Sequence, residues 1–218
     1  MTEQVVQEKS VQKKYIPMWK AATFLAVWLF ILGFSGLFVG NRYFWSEIDY
    51  RQIEREVTYY RQLVEMEPEQ PEHRVALGFN LHRLGDHQAA LAQLQAAIDL
   101  DEDLYDAYLN AGYVYIELEY WDDALEAFQK CVELSPGDYK GYFNLGIVYR
   151  ELGMFEASYD NLNDALSLRP GATDVLYHLA LTAQSDEDID QALNYLERAL
   201  AFDPRYRDAL ALYKQLAE

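Results

Sequence analysis

The last two thirds of the chain repeat on a period of thirty-four residues, and this period limits the fold more than any other feature. Gly78, Gly112, Gly146 and Ala180 stand one period apart. Twelve residues on come Ala90, Ala124, Ser158 and Ala192, then Leu94, Phe128, Leu162 and Leu196, then Ala97, Cys131, Ala165 and Ala199. The beat closes on Glu102, Pro136, Pro170 and Pro204. Each unit reads as a pair of antiparallel helices. A small residue where the paired helices touch is a packing requirement, because a larger side chain would force the axes apart. Leu77, Leu81, Tyr115, Phe128 and Tyr149 supply the large apolar side chains between pairs. Proline ends the second helix, since it lacks an N–H and disfavours helix in the residue before it. One pair alone cannot bury its apolar face, so several must stack to make a core.

The pattern L-G-x2-Y, A-x3-F, A, P on this period resembles the tetratricopeptide repeat family over roughly residues 71–206. The resemblance implies an all-α, right-handed solenoid of about four repeats, at 71–104, 105–138, 139–172 and 173–206. Residues 207–218, with Ala209, Leu210, Leu212, Tyr213 and Leu216, read as the capping helix that a terminal repeat needs. Two departures stand out. Repeat one closes on Leu100-Asp101-Glu102 without a proline, which predicts a less rigidly specified exit turn. Repeat four has Ser185-Asp186-Glu187-Asp188 where Gly85 and Gly153 mark the intra-pair turn of repeats one and three.

Upstream, Lys20 and Arg42 bracket an uncharged, largely apolar run, 21–41. About 20 apolar residues cross a bilayer as a helix. Trp19 on one side and Tyr43 and Trp45 on the other occupy interfacial positions. The expected layout is a basic polar tail at 1–20 and a single transmembrane helix at 21–41. The alternative is a cleaved signal peptide with its site near Gly33–Gly36, opposed by the twenty-residue leader and by the apolar run continuing past it. Gly36 and Gly40 form a GxxxG pair, which gives a candidate homodimer contact within the span. At 44–70, Tyr50, Ile53, Val57, Tyr60 and Val64 recur at helical spacing and predict a juxtamembrane helix, a degenerate leading half-repeat. A dimeric coiled coil is the alternative there, and the apolar spacing is too short to favour it.

Thirty-six acidic residues against eighteen basic ones give a net charge of −18. Residues 1–40 hold four lysines and two glutamates, so their +2 leaves −20 for residues 41–218. Lys9, Lys13, Lys14 and Lys20 precede the span and Arg42, Arg51 and Arg55 follow it. This asymmetry favours a cytoplasmic N-terminus with the repeat domain exported; a cytosolic domain is the alternative. Such a domain repels phosphate backbones and anionic headgroups, which argues against nucleic acid and membrane-surface partners. Basic or neutral polypeptides fit better, and solubility alone is the competing reason for the charge.

No catalytic, metal or cofactor motif appears. Cys131 stands alone at a small-residue position and reads as a packing residue. There is no phosphate-binding glycine loop and no H-E-x-x-H, and His73, His82, His87 and His178 show no ligand spacing. The chain reads as a non-enzyme. The resemblance implies instead that the first helix of each pair lines a concave groove for a protein partner. Its groove positions fall on Phe79, Asn110, Tyr113, Lys140, Phe143, Asn144, Tyr177 and His178. A primary amide both donates and accepts, so Asn110 and Asn144 resemble the backbone clamps of peptide-binding members. The alternative is that they bridge neighbouring helices. Lys140 matches one basic position of the carboxylate clamp of chaperone-binding members, but Val75, Phe79 and Asn144 depart from it. The expected function is a membrane-tethered adaptor that gathers an extended polypeptide or partner subunit, assisting secretion, envelope or complex assembly. A permanent structural subunit, held through its convex face or its span, is the alternative.

Overall fold

The computed structural model describes residues 46–217. The basic tail, the candidate span at 21–41 and the Gly36/Gly40 pair lie outside the described residues. Ten α-helices and no strand are found among those described. They are α1 (Ser46–Met66), α2 (Pro71–Arg83), α3 (His87–Leu100), α4 (Tyr105–Glu117) and α5 (Trp121–Leu134). After these come α6 (Tyr139–Glu151), α7 (Phe155–Leu168), α8 (Thr173–Ser185), α9 (Ile189–Phe202) and α10 (Arg207–Leu216). Among the described residues no helix is long and apolar enough to cross a membrane. The chain divides into two compact units, Met1–Arg51 and Gln52–Glu218, and the packing below is that of the second.

The small residues of the beat sit where paired helices cross. A Cβ built on Gly112 would fall 2.5 Å from the Phe128 ring, and one on Gly146 2.5 Å from Leu162 Cγ. One on Gly78 would fall 2.7 Å from Leu94 Cγ. Each of these partners is fully buried on the second helix of the same pair. The first helix therefore gives up a side chain so that the second can seat a large one. Successive pairs then stack, and the first helices also meet directly at α2–α4 and α6–α8.

Val57 of α1 is buried in one apolar cluster with Val75 and Leu77 of α2, and Arg83 Nη1 donates to Glu56 at 3.0 Å. This helix covers the first pair. At the other end Ala209 and Leu212 of α10 join the cluster of Leu196 and Ala199. Ser158 brings a hydroxyl to a small-residue position; it donates to the Gly146 carbonyl at 2.7 Å and lies 2.9 Å from the Thr182 hydroxyl. Both are fully buried, and their pairing satisfies two groups that would otherwise be orphaned.

The turns show how the two departures from the beat are accommodated. The exit turn of repeat one, which lacks the proline, is closed by a side-chain hydrogen bond. Its α3 ends at Leu100, one position before the capping Asp101, as α5 ends at Leu134. Asp101 Oδ1 accepts from the Asp103 N–H at 3.0 Å, and the same turn recurs where Asp203 accepts from Arg205 at 2.9 Å. The aspartate turn thus forms around Glu102 in repeat one as it forms around Pro204 in repeat four. The intra-pair turns all pass through left-handed backbone, at Gly85 (φ 82°), Glu119 (58°), Gly153 (72°) and Glu187 (63°). Repeats two and four keep that conformation with a glutamate, at a cost of roughly 1–2 kcal/mol each.

Candidate peptide-binding groove

The eight candidate residues lie on the first helices α2, α4, α6 and α8, and the fold gathers them into three groups. Phe79 and Asn110 line a cavity of about 280 Å³ between α2 and α4. Val75, Ala76 and Leu104 give it an apolar lining, and Glu72 and Asp106 add two carboxylates. Phe79 is 43% exposed, and the Arg83 guanidinium lies 5.5 Å from its ring centre. Asn110 Nδ2 donates to the Asp106 carbonyl one turn back at 2.7 Å, which leaves its side-chain oxygen able to accept.

In the second group the roles differ from the clamp that the resemblance implies. Asn144 is 3% exposed, and its amide donates to the Lys140 carbonyl at 2.8 Å and to the Tyr113 hydroxyl at 3.4 Å. Both amide hydrogens are engaged within the fold. Tyr113 packs edge-on against Phe128 with centroids 5.9 Å apart, and burial raises its phenol above the ordinary range. Lys140 is exposed.

Phe143, Tyr177 and His178 form the third group. The His178 ring meets Phe143 edge-to-face at 5.0 Å and Tyr177 at 5.7 Å. Tyr139 and Tyr206 extend this aromatic row at 6.4 Å from Phe143 and 5.4 Å from Tyr177. Arg150 Nη1 lies 3.1 Å from His178 Nδ1. A guanidinium can only donate, so Nδ1 accepts and the proton of the neutral ring sits on Nε2. Burial first, and the Arg150 charge second, push the imidazole down to about 4. The row presents neutral, apolar and aromatic surface.

The Cys131 thiol is buried and pushed up to about 12, chiefly by burial, so it is not a thiolate at neutral pH. Among the described residues no three His, Cys, Asp or Glu side chains are grouped to hold a metal ion. His82 and His87 do meet across the turn between α2 and α3, Nδ1 to Nδ1 at 3.2 Å. Helix-face reasoning passes over that contact because the two residues belong to different helices. Arg150 and Tyr206 are further residues of the groove that the periodicity did not single out. The carboxylates Glu72 and Asp106 stand one period apart at a groove position of the repeat.

Tetratricopeptide repeat profiles match residues 57–104 and 80–139, 127–159 and 173–206. The chain belongs to the tetratricopeptide repeat family. Solved structures with the same fold include YrrB, a tetratricopeptide repeat protein with an unusual peptide-binding site. It is 22% identical with a TM-score of 0.65, over 76% of this chain and 86% of its own. MamA is 20% identical with a TM-score of 0.65, over 73% of this chain and 94% of its own. A thermophilic tetratricopeptide repeat protein of Thermus thermophilus, TTC0263, is 20% identical with a TM-score of 0.64, over 79% of this chain and 94% of its own. At these identities the likeness concerns the fold. A search of curated proteins finds no match to the sequence.

Proposed function

We propose that this tetratricopeptide repeat protein is a membrane-tethered adaptor that holds an extended segment of a partner protein against its first helices. The observation that carries the reading is the half-exposed Phe79 beside Asn110, over a cavity of about 280 Å³ that no side chain of the described residues fills. The peptide-binding site of YrrB supports a peptide as the occupant. Asn110 offers its oxygen to a backbone N–H, and Phe79, Tyr113, Phe143 and Tyr177 provide apolar contact. Lys140 and His178 complete the lining, and Asn144 holds Tyr113 in place. The tether is the apolar run at 21–41, with the basic tail cytoplasmic and the repeats exported. Gly36 and Gly40 are the proposed contact if the span pairs with a second copy. The protein is not an enzyme in this reading, and secretion or envelope assembly is its setting.

Asn110→Ala should leave helicity unchanged and weaken capture of partners from solubilised membranes. One neutral hydrogen bond of about 0.5–1.5 kcal/mol corresponds to roughly two- to thirteen-fold in affinity. Asn144→Ala should behave differently and lower the melting temperature as well, because it orphans the Tyr113 hydroxyl and empties a buried site. Unchanged capture by a folded Asn110→Ala variant would remove the groove from the function.

A further inference from the structure

On the side of α4 turned away from Asn110, a second cavity of about 230 Å³ opens between α3 and α5. Its floor is made of Ala111 and Ala127. One period on, the same two places hold Leu145 and Asn161, and two periods on Leu179 and Tyr195. The later interfaces thus carry larger side chains at both of these places. At the next interface Gln129 Nε2 also reaches across to the Tyr149 hydroxyl at 3.5 Å. The matching Gln95 instead donates to Asp99 of its own helix at 3.0 Å, which leaves the Tyr115 side of the hollow open.

The walls have a definite chemistry. Leu91 and Ile98 give an aliphatic side, Tyr108 and Tyr115 give two phenol rings, and Asp123 and Glu126 stand exposed at the margin. Asp123 has no acidic counterpart at the later interfaces, where Ala157 and Gln191 take its place, while Glu126 is matched by Asp160 one period on and by Asn194 two periods on. Burial raises the Tyr115 phenol, and the nearby carboxylates of Asp123 and Glu126 add to it. Neither acid makes an ion pair among the described residues, and Lys130, one turn after Glu126, pairs with Glu133 at 3.4 Å.

We propose that this outer hollow receives an arginine side chain of a protein partner. The aliphatic stem lies over Ala111 and Ala127, and the planar guanidinium stacks against the phenol rings and donates to Asp123 and Glu126. Arginine is preferred over lysine because its flat, weakly hydrated head both stacks and bonds a carboxylate through two N–H groups. The charge of −20 on residues 41–218 favours approach of a basic segment. The site is independent of the concave groove and gives the adaptor a second point of contact on its opposite face.

The test uses the full-length chain titrated with the capped tripeptide acetyl-Ala-Arg-Ala-amide and its citrulline and lysine counterparts, read by NMR at the Ala111 and Ala127 methyls. The arginine peptide should shift both methyls saturably, and the uncharged citrulline peptide should bind about tenfold more weakly. Glu126→Gln, at an exposed position, should weaken arginine binding about threefold with the fold intact. Ala111→Leu, which supplies the side chain that stands at Leu145, should abolish it. Equal binding of arginine and citrulline, equal binding of lysine, or indifference to Glu126→Gln would overturn the proposal. So would shifts confined to Phe79 and Asn110. Asn110→Ala should leave the titration unchanged, so failure here and failure of the groove are separate results.

Discussion

Phe128→Ala should destabilise the repeat domain by about 3–5 kcal/mol, the cost of truncating a fully enclosed aromatic ring. The ring fills the space that Gly112 leaves, touches Tyr113 edge-on, and shares a cluster with Leu109, Leu145 and Val148. It therefore joins repeat two internally and to repeat three. For a unit of this size a loss of 3–5 kcal/mol lowers the melting temperature by roughly 6–20 °C. Because each repeat contacts mainly its neighbours, the transition should also broaden. The complementary change, Gly112→Leu, puts atoms where the ring already is and should cost about 1–3 kcal/mol. A melting curve unchanged by either substitution would mean that Gly112 and Phe128 do not form this contact.

The second large effect is a dependence on pH. In the unfolded chain the His178 imidazole titrates near 6.5, and in the fold it is held down at about 4. Between those values the unfolded state binds the extra proton, so acid favours unfolding. The contribution is fully present above pH 6.5 and is lost as pH falls towards 4, for a total of roughly 3 kcal/mol. Carboxylates add their own acid sensitivity, so the informative quantity is a difference. Urea unfolding at pH 7 and at pH 4.5 should show the wild type losing about 2–3 kcal/mol more than His178→Gln, whose neutral amide can still accept from Arg150. Equal losses would place His178 in water, not against Arg150 and Phe143.

The fold was legible because its marks are steric. A glycine at 78, 112 and 146 with a large side chain sixteen residues later needs only hard-sphere packing to read. The turns were read less well. The helix stop at Asp101 and the left-handed Glu187 depend on local hydrogen bonding and tolerated strain, which leave no fixed letter in the repeat. Site residues were placed on the correct helices by register, but their roles depend on what stands beside them. Asn110 and Asn144 occupy one position of the repeat, yet only Asn144 faces a tyrosine hydroxyl and is buried by it. His178 is kept neutral first by burial and second by the Arg150 charge against it, a contact across 28 residues that periodicity does not encode.

The central claim is that a partner lies along the first helices, and photo-crosslinking in native membranes tests it most directly. A benzophenone side chain placed at Phe79 should form an adduct with a partner protein. The same group at Tyr120 or Met154 should not, although those residues are 48% and 51% exposed against 43% for Phe79. Tyr120 and Met154 cap α5 and α7 at the intra-pair turns, away from the lining of the groove. Adducts from Phe79 alone are the expected result. Adducts from the turn positions with none from Phe79 would contradict the account.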